Sequence, residues 1–206
     1  MFRIIALLIG YAIGCIQTAY FVGKIYGIDI REHGSKNAGM TNVTRTVGKK
    51  AGAFVFIVDI FKSVAAFAIA SIIFEGGGTF FPAGEFGALP GIYAGIGAVL
   101  GHSFPAFLKF RGGKGVSCII GLIIMLDWRI ALIVFLVGIG PFAITRYISL
   151  GSLIVTFVAP TAMLFLGYKT EEIAVMTAIS SVIWFMHRSN IKRLLTGKES
   201  RIFSKK

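Results

Sequence analysis

The sequence predicts an all-α fold, a polytopic membrane bundle of about seven transmembrane helices with its N-terminus outside and its C-terminus cytoplasmic. Three observations carry this. The 206 residues are 56% hydrophobic and only 15% charged, with a mean hydropathy of +0.83, too apolar for a soluble domain of this size. Apolar runs recur that approach the roughly twenty residues needed to cross about 30 Å of hydrocarbon. Lysine and arginine gather in alternate polar stretches between those runs. No internal repeat or soluble segment interrupts the pattern, so residues 1–206 read as one membrane-embedded domain.

The first run, residues 4–22, is followed by no cleavage signature and reads as a span, not a signal peptide. Gly10 and Gly14, four apart, would let a neighbouring helix approach closely. Residues 24–50 are polar and carry Lys24, Arg31, Lys36, Arg45, Lys49 and Lys50, which marks a cytoplasmic loop. Residues 51–74 form a second span holding Asp59 and Lys62, whose i,i+3 spacing puts both on one face, as a local ion pair or as a functional group. Residues 75–89 carry only negative charges among several glycines and read as an external loop. Residues 91–107 form a third span, in which Gly91, Gly95 and Gly97 suit either a lipid groove or helix contacts.

Residues 116–126 are short for a span and end in Asp127, Trp128 and Arg129 before another apolar run reaches residue 144. Treating 116–144 as one span would send the basic tail outside, so the positive-inside rule favours two short spans. Residues 150–166 and 173–185 complete the seven. With this topology only Arg3, Arg129 and Lys169 among the basic residues fall outside, and Lys62 lies within a span.

The net charge of +12 in so apolar a chain is a matter of topology and of attraction to anionic head groups or substrates. It does not indicate nucleic acid, because no soluble basic patch interleaved with aromatics exists. Cys15 and Cys118 lie inside apolar runs and read as packing groups, not as a disulfide. Together with three histidines they make no metal site.

The polar clusters expected at the cytoplasmic face are rich in glycine, amides, hydroxyls and cations. Residues 101–116, GHSFPAFLKFRGGKGV, end in a turn where Gly112, Gly113 and Gly115 let successive N–H groups converge on an anion while Lys114 adds a full charge. The turn is not a nucleotide P-loop, since Leu108 and Gly115 stand where that motif needs a glycine and a hydroxyl residue. Residues 34–45, GSKNAGMTNVTR, end in Arg45 and suit anion recognition. A corner at Ser149 and Ser152 follows. Residues 187–199, HRSNIKRLLTGKE, place His187, Asn190 and Arg193 on one face of an amphipathic helix. A transporter would show inverted repeats and a midplane site, whereas these groups collect at one face. Asp29, Asp59 and Asp127 are too few and too dispersed for a two-metal transferase.

These three stretches, in this order and separation, resemble the signature motifs of the bacterial acyl-phosphate:glycerol-3-phosphate acyltransferases (PlsY type) over essentially the whole chain. Lys36 stands where a glycine is common, Met40 replaces a small residue, Ser117 and Cys118 follow the lysine turn where alanine and threonine are usual, and the 75–89 loop is long. The resemblance implies transfer of a fatty acyl group from acyl phosphate to the 1-hydroxyl of glycerol-3-phosphate, the first step of phospholipid synthesis. Lysophosphatidic acid and inorganic phosphate would be released without a cofactor or metal. The partners are then those two substrates and the lipid bilayer, at the cytoplasmic face of a bacterial inner membrane.

The catalytic residues so implied are Ser35, Arg45, Lys114, His187 and Asn190. Asn37, Gly39, Thr41, Asn42, His102, Gly112, Gly113, Gly115, Ser152, Arg193 and Glu199 would bind substrate. Acyl phosphate is assigned to residues 112–115 with Thr41, Asn42 and Ser152, and glycerol-3-phosphate to Ser35, Asn37, Arg45, His187 and Asn190, with Lys114 open to both. His102, beside Pro105, reads as a packed ring fixing the loop in preference to a catalytic one. Acyl phosphate is a mixed anhydride with a good leaving group, so no covalent intermediate is needed. Cys118 sits in an apolar run, whereas a catalytic thiol wants an electropositive, accessible setting, and the nearness of Lys114 in sequence keeps it as the lesser alternative. The hydroxyl proton is expected to pass to a substrate phosphate oxygen, with His187 as the alternative base.

Overall fold

The computed structural model describes residues 1–74 and 86–202, and every regular element among them is helical. Most of the expected external loop, residues 75–85, lies outside the described residues. Five helical segments are long and apolar enough to cross a membrane: Phe2–Ile25, Lys49–Phe74, Leu89–Leu108, Trp128–Thr145 and Ile148–Phe165; Val116–Leu126 is a shorter apolar helix. The chain divides into two compact units, Met1–Leu126 and Asp127–Lys206.

The first unit contains α1 (Phe2–Gly14), α2 (Thr18–Ile25), α3 (Met40–Thr46), α4 (Lys49–Phe74), α5 (Leu89–Ser103) and α6 (Val116–Leu126). Helix α5 is its centre, buried on nearly every side. Its glycines meet three different helices: Gly91 lies against the Phe67 ring of α4, Gly95 against Leu122 of α6 and Gly97 against the Leu7 carbonyl of α1. They serve helix contacts. The close approach expected of α1 is made to this same helix, since a Cβ at Gly10 or Gly14 would strike the carbonyl of Ala94 or Ala98.

The expected single span over residues 4–22 is broken between α1 and α2. Two polar side chains compensate for the backbone bonds lost there. Gln17 Nε2 donates to the Gly14 carbonyl at 3.3 Å and Lys62 Nζ donates to the Ile16 carbonyl at 2.9 Å. Carbonyls freed by a helix break are tolerated at membrane depth only when the protein supplies donors in this way.

The second unit contains α7 (Trp128–Thr145), α8 (Ile148–Phe165), α9 (Thr170–Met186) and α10 (Arg188–Leu195). Asp127 caps α7 by accepting from the Arg129 N–H at 2.8 Å, and the Tyr168 hydroxyl donates to the same carboxylate at 2.8 Å. The Arg129 guanidinium beside it holds the Asp127 carboxyl down at about 2. Helix α7 exposes Leu132, Phe135 and Leu136, the pattern of a lipid-facing helix. Trp184 of α9 donates from Nε1 to the Thr156 hydroxyl of α8 at 3.0 Å. Beyond α10 the chain returns, and the Ile202 N–H donates to the Arg146 carbonyl at 3.0 Å.

Candidate active site

Helix α5 ends at Ser103, where the Tyr11 hydroxyl donates to the Phe104 carbonyl at 2.8 Å and Pro105 forbids continuation. A single 3₁₀ turn, Ala106–Leu108, follows. Lys109 and Phe110 then adopt φ of 54° and 59°, two left-handed residues in succession, and the chain reverses. Consecutive non-glycine residues in this region are strained, and the surrounding contacts must over-determine them.

The loop closes on its own entry. The Gly112 N–H donates to the Ser103 carbonyl at 3.2 Å and the Gly113 N–H to the His102 carbonyl at 3.0 Å. These two donors are therefore committed within the chain, unlike the sequence expectation of three glycine N–H groups converging on an anion. The expectation of an anion seat then rests on Lys114, the turn at Gly115 (φ +80°) and the first turn of α6. The opening N–H groups of a helix have no carbonyl one turn back, and the dipole favours negative charge there.

Gly113 is required by close approach. A Cβ at this position would fall on His102 Nε2 and stand 2.9 Å from the Ala38 carbonyl oxygen. The second contact seats the 34–45 stretch against the lysine loop. Lys36 takes φ 59°, the left-handed conformation glycine adopts freely, which gives a physical meaning to the departure noted at that position. Just before the stretch, Arg31 makes paired bonds to Asp29 at 3.0 and 2.7 Å, and that guanidinium holds the Asp29 carboxyl at about 2.

Helix α3 lies within the expected cytoplasmic loop, follows Gly39 as its N-cap and carries Thr41, Asn42 and Arg45. Asn42 is buried, with its amide spent on the loop. Its Oδ1 accepts from the Ser35 N–H at 2.9 Å, and its Nδ2 donates to the carbonyls of Ile30 at 2.8 Å and His33 at 2.9 Å. It holds Ser35 in place. Ser35 and Arg45 are exposed, while Asn37, Gly39, Thr41 and Lys114 are half-buried. The first unit thus holds Ser35, Asn37, Gly39, Thr41, Asn42, Arg45, His102, Gly112, Gly113, Lys114 and Gly115, and the approach of Gly113 to Ala38 joins the lysine loop to the 34–45 stretch.

Beneath this surface lies a buried polar cluster that the sequence disclosed only in part. Lys62 Nζ is 2.9 Å from Asp59 Oδ1 and 2.8 Å from His102 Nδ1, and the Thr18 hydroxyl donates to Asp59 Oδ1 at 3.1 Å. Gln17 Nε2 donates to the carbonyls of Gly101 at 3.3 Å and His102 at 3.1 Å. The Asp59–Lys62 pair follows from helical spacing. Its reach to His102 does not, and Gln17 and Thr18, adjacent polar residues in an apolar run, were the available signal.

The second unit holds the remaining predicted residues. Glu199 is the hub. Its Oε1 accepts from Ser149 Oγ at 3.0 Å and Asn190 Nδ2 at 2.8 Å, and its Oε2 accepts from Arg193 Nε at 2.7 Å. Burial raises the Glu199 carboxyl, but the bonds from Asn190, Arg193 and Ser149 outweigh it and leave the group below its ordinary range. Ser152 donates to the Ile148 carbonyl at 2.9 Å within its own helix, so Ser149 is the serine of this corner that joins the cluster. His187, buried, donates from Nδ1 to the Ile183 carbonyl at 2.8 Å. A carbonyl only accepts, so Nδ1 carries the proton, and Nε2 is a lone pair when the ring is neutral and a donor when it is charged.

Comparison with known proteins adds an independent finding. The family model "Glycerol-3-phosphate acyltransferase" matches residues 4–197. A glycerol-3-phosphate acyltransferase of Thermoanaerobacter sp. (strain X514) is 41% identical over 209 residues, covering 100% of this chain and 98% of that one. One of Clostridioides difficile (strain 630) is 42% identical over 204 residues, covering 98% and 97%. Among solved structures, the glycerol 3-phosphate form of PlsY, an integral membrane glycerol 3-phosphate acyltransferase, superposes with a TM-score of 0.85 at 36% identity, covering 97% of this chain and 95% of that one. The lysophosphatidic acid form of PlsY gives 0.82 at the same identity, covering 97% and 94%.

Proposed function

The chain belongs to the glycerol-3-phosphate acyltransferase family and is an acyltransferase of the PlsY type, and on that premise we propose that it transfers a fatty acyl group from acyl phosphate to the 1-hydroxyl of glycerol-3-phosphate. The observation that carries the reading is the lysine loop seated on the 34–45 stretch through Ala38 and Gly113, with Lys114 and the α6 N-terminus beside it. The relatives' names and the two liganded forms of PlsY support glycerol-3-phosphate as acceptor and lysophosphatidic acid as product.

The hydroxyl oxygen attacks the acyl carbonyl carbon, a tetrahedral oxyanion forms, and the carbon–oxygen bond to phosphate breaks to release inorganic phosphate. No enzyme-bound acyl group is formed. Lys114 and the first turn of α6 neutralise the leaving phosphate, Ser35, Asn37 and Arg45 take the acceptor's phosphate, and His187 and Asn190 are proposed as phosphate ligands of the second unit. The architecture proposed for the chain is one domain of seven spans, with the N-terminus outside and the active face toward the cytoplasm of an inner membrane.

The test supplies the purified protein with palmitoyl phosphate and glycerol-3-phosphate, without added metal, and measures phosphate release against lysophospholipid formed. Equal amounts are expected, with no transfer from palmitoyl-CoA; transfer from the thioester alone overturns the donor assignment. Palmitoyl phosphate radiolabelled in the acyl chain should leave no label on the denatured protein when the acceptor is omitted.

A second reading has a specific observation behind it, because Nδ1 of His187 donates to the Ile183 carbonyl, which makes Nε2 the basic nitrogen of the neutral ring. We place the proton instead on a phosphate oxygen of the bound substrates, with His187 donating to phosphate. A glutamine amide donates near the Nε2 position but cannot take a proton. His187→Gln is therefore expected to raise KM about tenfold with kcat within about threefold, whereas a loss confined to kcat at saturation assigns His187 as the base.

A further inference from the structure

We infer that Asp59 and Lys62 are positioning residues that fix the His102 ring with its proton on Nε2, making this nitrogen a hydrogen-bond donor to the substrate phosphate held by the lysine loop. The inference rests on the reading of that loop as a phosphate seat.

Lys62 carries three N–H donors and no lone pair. Its ammonium has three partners in place: Asp59 Oδ1 at 2.9 Å, the Ile16 carbonyl at 2.9 Å and His102 Nδ1 at 2.8 Å. Nδ1 must therefore accept, and the ring proton lies on Nε2. Asp59 holds Lys62 in place at 2.9 Å and is itself held by Thr18. The backbone of His102 is pinned as well, its carbonyl accepting from the Gly113 N–H and from Gln17 Nε2.

Nε2 occupies the place where a Gly113 side chain would stand, so it faces the loop. His102 is 4% exposed, and among the described residues Nε2 has no hydrogen-bond partner. A buried aspartate and lysine are expensive within a span, and two apolar side chains would pack α4 against α5 without that cost. Orientation of one imidazole edge toward the loop is what the pair supplies.

The experiment combines ¹⁵N spectra of histidine-labelled protein with steady-state kinetics. The His102 resonances, assigned by their loss in His102→Gln, should show a protonated Nε2 and an unprotonated Nδ1. The double variant Asp59→Asn/Lys62→Met removes both charges together, so no lone ion stays buried. It is expected to mix the two tautomers and to raise KM for acyl phosphate about tenfold while kcat stays within about twofold. A proton on Nδ1 in the unmodified protein, or an unchanged KM in the folded double variant, overturns the inference.

Should that variant fail to fold, His102→Gln and His102→Asn decide. A glutamine amide nitrogen sits near Nε2 and an asparagine amide nitrogen near Nδ1, so glutamine should hold KM within about threefold and asparagine raise it about tenfold. Equal or reversed effects refute the donor role. Failure of the functional reading looks different, since the unmodified protein would then release no phosphate from acyl phosphate and glycerol-3-phosphate. In that case titration of inorganic phosphate against the Nε2 resonance still decides whether this edge donates to phosphate.

Discussion

Gly113→Ala is expected to lower kcat/KM about a hundredfold while leaving the protein folded. The added methyl group would land on His102 Nε2 and within 2.9 Å of the Ala38 carbonyl. Neither neighbour yields easily. The imidazole is tied to Lys62 at 2.8 Å, and Ala38 is buried in the loop that presents Ser35 and Asn37. Relief comes from swinging the ring off Lys62 or from moving the lysine loop away from the 34–45 stretch, and a displacement of about 1 Å at reacting groups costs about a hundredfold in rate. Gly140→Ala, on α7 where an added methyl group meets nothing within 4 Å, is the matched control and should keep normal kinetics. Measurement of kcat/KM and melting temperature for both variants checks this. A Gly113→Ala enzyme within about threefold of normal would mean that the contact between the loops does not set the geometry of transfer.

The parts of the molecule that were legible beforehand are those written as local patterns. Apolar runs gave the long helices, the Gly10 and Gly14 pair gave a close helix contact, and the i,i+3 spacing gave the Asp59–Lys62 ion pair. The break between α1 and α2 was invisible, because its donors come partly from Lys62, 46 residues away from the carbonyl it satisfies. Helix α3 was hidden for another reason. Threonine and asparagine have low helix propensity and compete for backbone bonds, so Met-Thr-Asn-Val-Thr-Arg reads as loop until tertiary packing of Val43 overrides the preference. The glycines of the lysine turn were found for their conformational freedom, yet at Gly112 and Gly113 the need is for room beside His102 and for N–H groups that close the loop. Composition marks a glycine turn, but which of its amides are spent internally depends on where the chain returns.

The largest effect expected in the second unit belongs to Glu199. Glu199→Ala should lower kcat/KM about a hundredfold or more by releasing the segment that carries His187 and Asn190. One carboxylate takes bonds from Ser149 on α8 and from Asn190 and Arg193 on α10, so it couples these two helices. Hydrogen bonds to a charged group are worth roughly 1.5 to 3 kcal/mol each, and their removal together is not additive. The Arg193 side chain is 42% exposed, which discounts its share through solvent screening. A net loss of about 3 kcal/mol remains, more than a hundredfold in the equilibrium constant for docking of the tail. Glu199→Gln keeps the size and one acceptor oxygen but turns an N–H toward another donor, so its loss should be about tenfold.

The same group sets a pH dependence whose sign is fixed by the direction of its shift. The carboxyl titrates lower when the tail is docked than when it is free, so the docked state gains most above the ordinary carboxylate value of about 4.3 and loses that gain as pH falls through the lower, docked value. Hydrogen exchange of residues 188–197, corrected for intrinsic rates, should therefore stay slow in the unmodified protein down to about pH 4 and accelerate below it. In Glu199→Ala it should be fast already at neutral pH and show no such step. Protection of α10 that is unaltered in the variant would assign the anchoring of His187 and Asn190 to the packing of α9 and α10 alone.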